Sequence, residues 1–357
     1  MNFQFQHLGY IPSIVCIAVA AVALPSMAAG NDAESQPLFE SSEVLRVQIE
    51  APLTTVMRDR SSDENQDGLF HFTTVSGTRQ TLDLKLRTRG NYRRKAEHCE
   101  FAPLRLNFSK DQVSGTLFEG QDKLKLATHC DNSRRAHEQS VLLEYIAYRM
   151  LNELTNLSFR VRLLHVDYID TDRENKTRTK YAILVEDEEA LYRRIGMQFA
   201  AITSASVEQL DPQHTALVTV FEYLIGNTDF SPLRGAANEF CCHNVVLVSE
   251  PGSALLPIPY DFDMSGLVDA PYASPNPKLK IEKVTQRLYR GYCIHNGLLD
   301  SSIGILAEKR NAFKSLVAEQ EGLLSGSRRT AAQYIDKFYD RVSSASDIER
   351  NLVKECS

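Results

Sequence analysis

Three stretches of this chain carry polar side chains whose placement asks for a reason beyond folding. In the first, residues 87–95 (RTRGNYRRK), five cations fall within nine residues around Gly90-Asn91. A cation-rich turn with free backbone N–H groups suits a phosphate or another anion, and Arg89 is its candidate contact; a solvated hairpin end is the other reading. The second joins Gly226-Asn227-Thr228-Asp229 to the downstream His243-Asn244. The third is Asp261-Phe262-Asp263, directly after the proline-bounded run LLPIP. An acid at a helix end, an Asn before one strand and an acid pair after the next form the set that phosphoryl transfer needs. One carboxylate orients or accepts the proton of the attacking hydroxyl, while an amide oxygen and another carboxylate hold the magnesium that bridges the phosphates. Taken singly, Asp261 also reads as a helix cap and Asn244 as a turn residue.

The elements that must position these groups are visible as periodicity. Alternation of period two in VLRVQIE, TLDLKLRTRG, APLRLNFSK and KLKLAT predicts strands of an antiparallel sheet with one buried face. Residues 131–156 switch to a helical period, with Asp131-Asn132-Ser133 upstream as a cap. A strand over 161–170, a polar turn (TDRENKTR), a strand over 181–186 and a short helix over 188–195 come next. The second half changes texture. An apolar helix over 216–225 stops at Gly226, seven of the thirteen prolines fall between 226 and 280, and helices return at 301–324 and 328–342. Long irregular segments on a scaffold are usual places for function. The expectation is an α+β fold of two lobes: a β-rich lobe with one crossing helix over 44–200 and a helical lobe over 201–357.

Residues 1–30 contain no Asp, Glu, Lys or Arg, and 11–24 is almost wholly apolar. With Ser26-Met27-Ala28 offering small residues at a cleavage site, residues 1–29 read as a signal peptide, an uncleaved anchor being the alternative. Residues 30–43 read as a mobile polar leader, and the mature chain as periplasmic or secreted with no stable membrane span. Export leaves six cysteines, which allow fifteen pairings. Cys99–Cys130 is expected as one bridge. The adjacent Cys241 and Cys242 read as half-cystines bonded elsewhere, with a metal or redox pair as the other reading. A net charge of −6 supplies no basic field, which argues against nucleic acid as a partner.

The motifs RTRGNYRRK, LRLNF, KLKLAT, YAILVEDEEALYRR, GNTD, HN and PIPYDFDMSG, in that order over roughly 44–300, resemble the CotH-type (spore-coat protein H) atypical kinases. More distantly the chain is similar to HipA-type and secreted Golgi kinases of the wider protein-kinase-like superfamily. The resemblance implies an atypical protein-kinase-like fold, ATP and magnesium as cofactors, and a protein hydroxyl as acceptor. It places Asp229 as the catalytic acid and Asn244, Asp261 and Asp263 as metal ligands, Asp263 being the second acid of D-x-D, with Asn238 a nearer alternative to Asn244. Glu186 and Asp187 fall at the hinge facing the adenine. Lys125 is the candidate phosphate-binding lysine, Glu144 its partner, and Arg105 its competitor. The alternative is a catalytically silent, pseudokinase-like envelope protein that holds an anionic ligand or partner.

Overall fold

The computed structural model describes residues 1–2, 37–74, 76–235 and 240–357. The signal-peptide segment lies outside them except for its first two residues, and so does Asn238. The chain divides into two units, Met1–Asp32 and Ala33–Ser357, and every described strand and helix belongs to the second.

The first half of that unit is built on seven strands: β1 (Leu45–Ala51), β2 (Gln66–Thr73), β3 (Arg79–Thr88), β4 (Leu104–Phe108), β5 (Lys123–Ala127), β6 (Val161–Asp170) and β7 (Lys176–Val185). Alternation works as expected. Leu82, Leu84, Leu86 and Thr88 of β3 point inward while Thr81, Asp83 and Lys85 face water. The interior fills with Leu side chains and a cluster of Phe70, Phe72, Phe108 and Phe118, with Phe70 and Phe118 5.0 Å apart in edge-to-face contact.

The expected antiparallel sheet in a two-lobed kinase-like architecture is not what forms. Strand β1 pairs antiparallel with β2 but parallel with β6, Val47 facing Val166, and this closes the seven strands into a mixed barrel. The helical region is not a separate body either. One hydrophobic core joins Val141, Leu163 and Ile183 of the barrel side to Phe221, Ile258, Phe313 and Phe338 of the helical side. The α+β class stands; the two-lobed architecture does not. Strand β2 leaves no clear signal in the sequence because Gly68 interrupts its pattern. A Cβ there would lie 2.7 Å from the Glu50 carbonyl, so this strand passes too close to β1 for a side chain.

The described residues also form nine α-helices: α1 (Leu53–Arg58), α2 (Lys110–Val113), α3 (Arg135–Leu154), α4 (Glu188–Ile195), α5 (Pro212–Ile225), α6 (Leu299–Glu308), α7 (Arg310–Glu319), α8 (Ser325–Arg341) and α9 (Ala345–Ile348). The single helix expected over 301–324 is two, broken at Lys309. Strand β7 starts at Lys176 rather than 181. Its first residues extend a hairpin into water, where backbone pairing continues without an apolar pattern. The polar leader ends in packed structure, with Leu38 and Phe39 in the barrel core. Among the described residues no helix is long and apolar enough to cross a membrane.

Among the described residues three disulfides form: Cys99–Cys130 as expected, Cys293–Cys356, and Cys241–Cys242. The last corrects the reading of two half-cystines bonded elsewhere: the neighbours pair with each other.

Candidate functional site

A small sheet places the site. Strands β8 (Gln198–Phe199), β9 (Val245–Ser249) and β10 (Leu256–Pro259) run in the order β10-β9-β8. The β9–β10 hairpin turns at Glu250-Pro251-Gly252-Ser253, where Gly252 takes φ +81° and the Ser253 N–H donates to the Glu250 carbonyl. Proline then glycine is what such a turn demands. The register sets Val245 opposite Pro259, so Asn244 and Asp261 emerge side by side at the hairpin's open end, and the Tyr260 N–H donates to the Asn244 carbonyl (3.0 Å).

Helix α5 delivers Asp229. Asp211 caps its N-terminus, accepting from the His214 N–H (2.8 Å), with Pro212 at the first position; Gly226 ends it in the left-handed region. Gly226 has a second reason to lack a side chain, because a Cβ would meet the Tyr334 hydroxyl at 2.0 Å. Buried Asn227 then accepts from the Asp229 N–H (3.0 Å), and Arg290 Nη1 donates to the Thr228 carbonyl (2.7 Å).

These elements bring Asp229 and Asn244 into contact. Asn244 Nδ2 donates to the Asp229 carbonyl (2.7 Å) and to its Oδ2 (3.1 Å), while His243 Nε2 donates to Oδ1 (2.7 Å). The hydrogen bond to Asp229 raises the pKa of His243 above its ordinary value. Asn244 Oδ1 is left without a partner among the described residues, and so is the Asp261 carboxylate. Both residues hold left-handed backbone, φ +52° and +63°, a region that Asn and Asp tolerate better than other non-glycine residues and that contacts can enforce. At Asp261 the enforcement is visible: its N–H donates to Tyr148 Oη (2.8 Å), and Phe262 is buried against Tyr148 and Phe221.

Asp263, expected beside Asp261 as a metal ligand, is instead engaged within the protein. It is buried, 3.3 Å from Arg93 Nε, and accepts from the Tyr272 hydroxyl (3.1 Å), which in turn accepts from Arg93 Nη1 (2.9 Å). Burial and then the Asp261 charge push its pKa up to about 7, against the pull of Arg93. Glu144 on α3 is also buried. Its pKa is driven well above the carboxylate range, first by burial, with Arg93 opposing and Asp263 and Asp261 adding to it. The cation that enters this acidic interior is Arg93, from the turn after β3. From the sequence, that turn is expected to supply only an anion contact, through Arg89.

Lys125 does not meet Glu144. It pairs with Glu188 at the start of α4, and its Nζ lies 5.4 Å from the Tyr260 ring centroid, next to Asp261 in sequence. Burial lowers its pKa, Glu188 opposes that, and the Arg89 charge reinforces it. Arg105 stands directly across from Lys125 on β4, so the two candidates are neighbours. Arg105, however, also lines a separate cavity of about 440 Å³ with Lys123 and Arg193. Arg89 has no ion-pair partner among the described residues, and its charge reaches Lys125, Glu144 and Glu188. Glu186 cannot face a ligand as expected: it is fully buried, and Arg160 and Arg194 take both its oxygens. Asp187 caps α4 through the Glu189 N–H (3.1 Å).

No protein-family model matches this chain, and no curated protein matches it. The chemistry therefore rests on the site itself. No group of three or more His, Cys, Asp or Glu side chains among the described residues is arranged to hold a metal by itself. Magnesium does not need one. It takes one or two carboxylates and keeps water and phosphate oxygens for its remaining positions. The unpartnered Asp261 carboxylate and Asn244 Oδ1 are hard oxygen donors that fit this demand.

Proposed function

We propose that this chain is an exported phosphotransferase that moves the γ-phosphoryl group of ATP to a protein hydroxyl, as its resemblance to CotH-type kinases implies. One observation carries the reading most: an acid, an amide oxygen and a second acid (Asp229, Asn244, Asp261) converge from two elements, with Lys125 and Arg89 as the nearby cations. In this reading Asp261 and Asn244 Oδ1 hold magnesium, which when bound offsets phosphate charge. Lys125 and Arg89 hold phosphate oxygens and orient the chain of phosphates. Asp229 orients the acceptor hydroxyl and takes its proton as the new P–O bond forms and ADP leaves. Three disulfides and the apolar N-terminal stretch support a periplasmic or secreted location.

A second reading, a silent binder of an anionic ligand, draws on the occupancy of the same groups. Both Asp229 oxygens are engaged by His243 and Asn244, and Lys125 is engaged by Glu188. Thermal unfolding with and without magnesium-ATP, followed by a phosphate-release assay, separates the two. Saturation at one hundred times Kd adds about 2.7 kcal/mol, a shift of a few degrees. Turnover that disappears in Asp261→Asn supports the transferase, and stabilisation without turnover supports the binder. Absence of both sinks the nucleotide reading.

A further inference from the structure

A cavity of about 220 Å³ opens in the barrel wall between α1 and the β6–β7 hairpin, and its lining includes none of Asp229, Asn244 and Asp261. Its inner side is aromatic. Phe101 stacks on His129 (4.8 Å between centroids) and meets Tyr168 edge-on (4.9 Å). Its outer side is cationic: Arg173, Lys176 and Arg178 line it, and none of the three has an ion-pair partner among the described residues. Arg58 also lines it but is paired with Asp59.

Two acids line the cavity as well, and both are engaged. Asp170 accepts from the Thr54 N–H (3.2 Å) and hydroxyl (2.6 Å), and Glu100 accepts from the Asn132 N–H (3.2 Å). The three unpaired cations therefore outnumber the two carboxylates of the cavity wall, Asp170 held by Thr54 and exposed Glu100 bonded through one oxygen.

Two buried polar atoms in the same wall lack a protein partner, His129 Nδ1 and Tyr168 Oη. His129 Nε2 lies 3.0 Å from Asn132 Oδ1, which can only accept, so Nε2 carries the proton and Nδ1 is a bare acceptor. Burial lowers the pKa of His129 to about 4 and so keeps the ring neutral. Orphaned polar atoms beside a cavity call for an explanation: the Tyr168 hydroxyl can donate to an anionic guest, and Nδ1 can accept only from a water or a guest donor.

We propose that this cavity binds a small aromatic anion, with its ring against Phe101 and Tyr168 and its carboxylate or phosphate group held by Arg173, Lys176 and Arg178. An aromatic wall with convergent cations is the usual composition of a small-ligand site, and guanidinium groups match both oxyanions. This site stands or falls apart from the phosphotransferase reading.

The test is isothermal titration of the full chain with benzoate, phenyl phosphate and inorganic phosphate. One-to-one binding of benzoate or phenyl phosphate supports the site, and the tighter of the two identifies the preferred anion. In Lys176→Gln/Arg178→Gln that affinity should fall at least tenfold. Both positions lie at the outer end of a strand, so the variant keeps its fold. Three outcomes overturn the proposal: no binding of either aromatic anion, binding unchanged in the double variant, or inorganic phosphate binding as tightly as phenyl phosphate.

Discussion

The hydroxyl of Tyr148 accepts a 2.8 Å hydrogen bond from the backbone N–H of Asp261. A residue on α3 thereby holds the left-handed turn that aims the Asp261 carboxylate. Tyr148 is buried, and burial pushes its pKa well above the usual phenol value, so it remains a neutral hydroxyl. Tyr148→Phe removes the acceptor and leaves a partly buried N–H unsatisfied. The expected loss is about 1–3 kcal/mol by denaturant unfolding. Stabilisation by magnesium-ATP should shrink more than overall stability does. A variant as stable as the parent would show that Tyr148 does not hold the turn.

Glu222 predicts the pH response. It is fully buried in α5, and neither of its carboxyl oxygens has a well-formed partner. Burial raises its pKa to about 8, with Asn227 and Arg290 opposing and Asp229 adding to it. A folded-state pKa above the unfolded one means that the native chain binds the extra proton. This contribution to stability is fully present below about pH 4.5 and is lost as pH rises through 8. Glu222→Gln should therefore gain stability relative to the parent as pH rises from about 5 to about 8, by an amount on the order of several kcal/mol. Parallel stability curves for the two proteins over that range would refute the assignment.

Gly226 and Gly266 both face the Tyr334 hydroxyl, where an added Cβ would sit 2.0 Å and 2.2 Å away. Gly226 also holds φ +66°. Gly226→Ala is expected to lose at least about 1–2 kcal/mol from backbone conformation alone, and Tyr334→Phe should recover only the steric part. The melting temperatures of the single and double variants check this directly.

The Cys99–Cys130 bridge spans 31 positions and ties the turn after β3 to the end of β5. Arg93 and Arg94 lie in that turn. Replacing both cysteines by serine should cost about 2–4 kcal/mol. It should also loosen Arg93 from Asp263, lowering magnesium-ATP affinity along with stability. A fall in stability with unchanged affinity would show that the turn is held by its own contacts.

Much of this protein is legible along the chain because the signals are local. Period-two alternation in 79–88 depends only on which side chains avoid water, and β3 forms there. The stop of α5 at Gly226 needs only a residue that tolerates positive φ, and the short helix expected over 188–195 forms as α4. The grouping of Asp229, Asn244 and Asp261 is readable too, as an order of residue types that suits one reaction. What the sequence could not decide is every contact between distant segments. Closure of the barrel rests on Leu45 meeting Leu164, a pairing across more than a hundred residues for which no local pattern codes. The same holds for charge. Whether Lys125 turns to Glu188 or to Glu144, whether Glu186 faces a ligand or is taken by Arg160 and Arg194, and whether Arg93 enters the interior beside Asp263 depend on which groups lose water together. A buried charge must find a partner within a few ångströms, and only the folded chain determines which one is there.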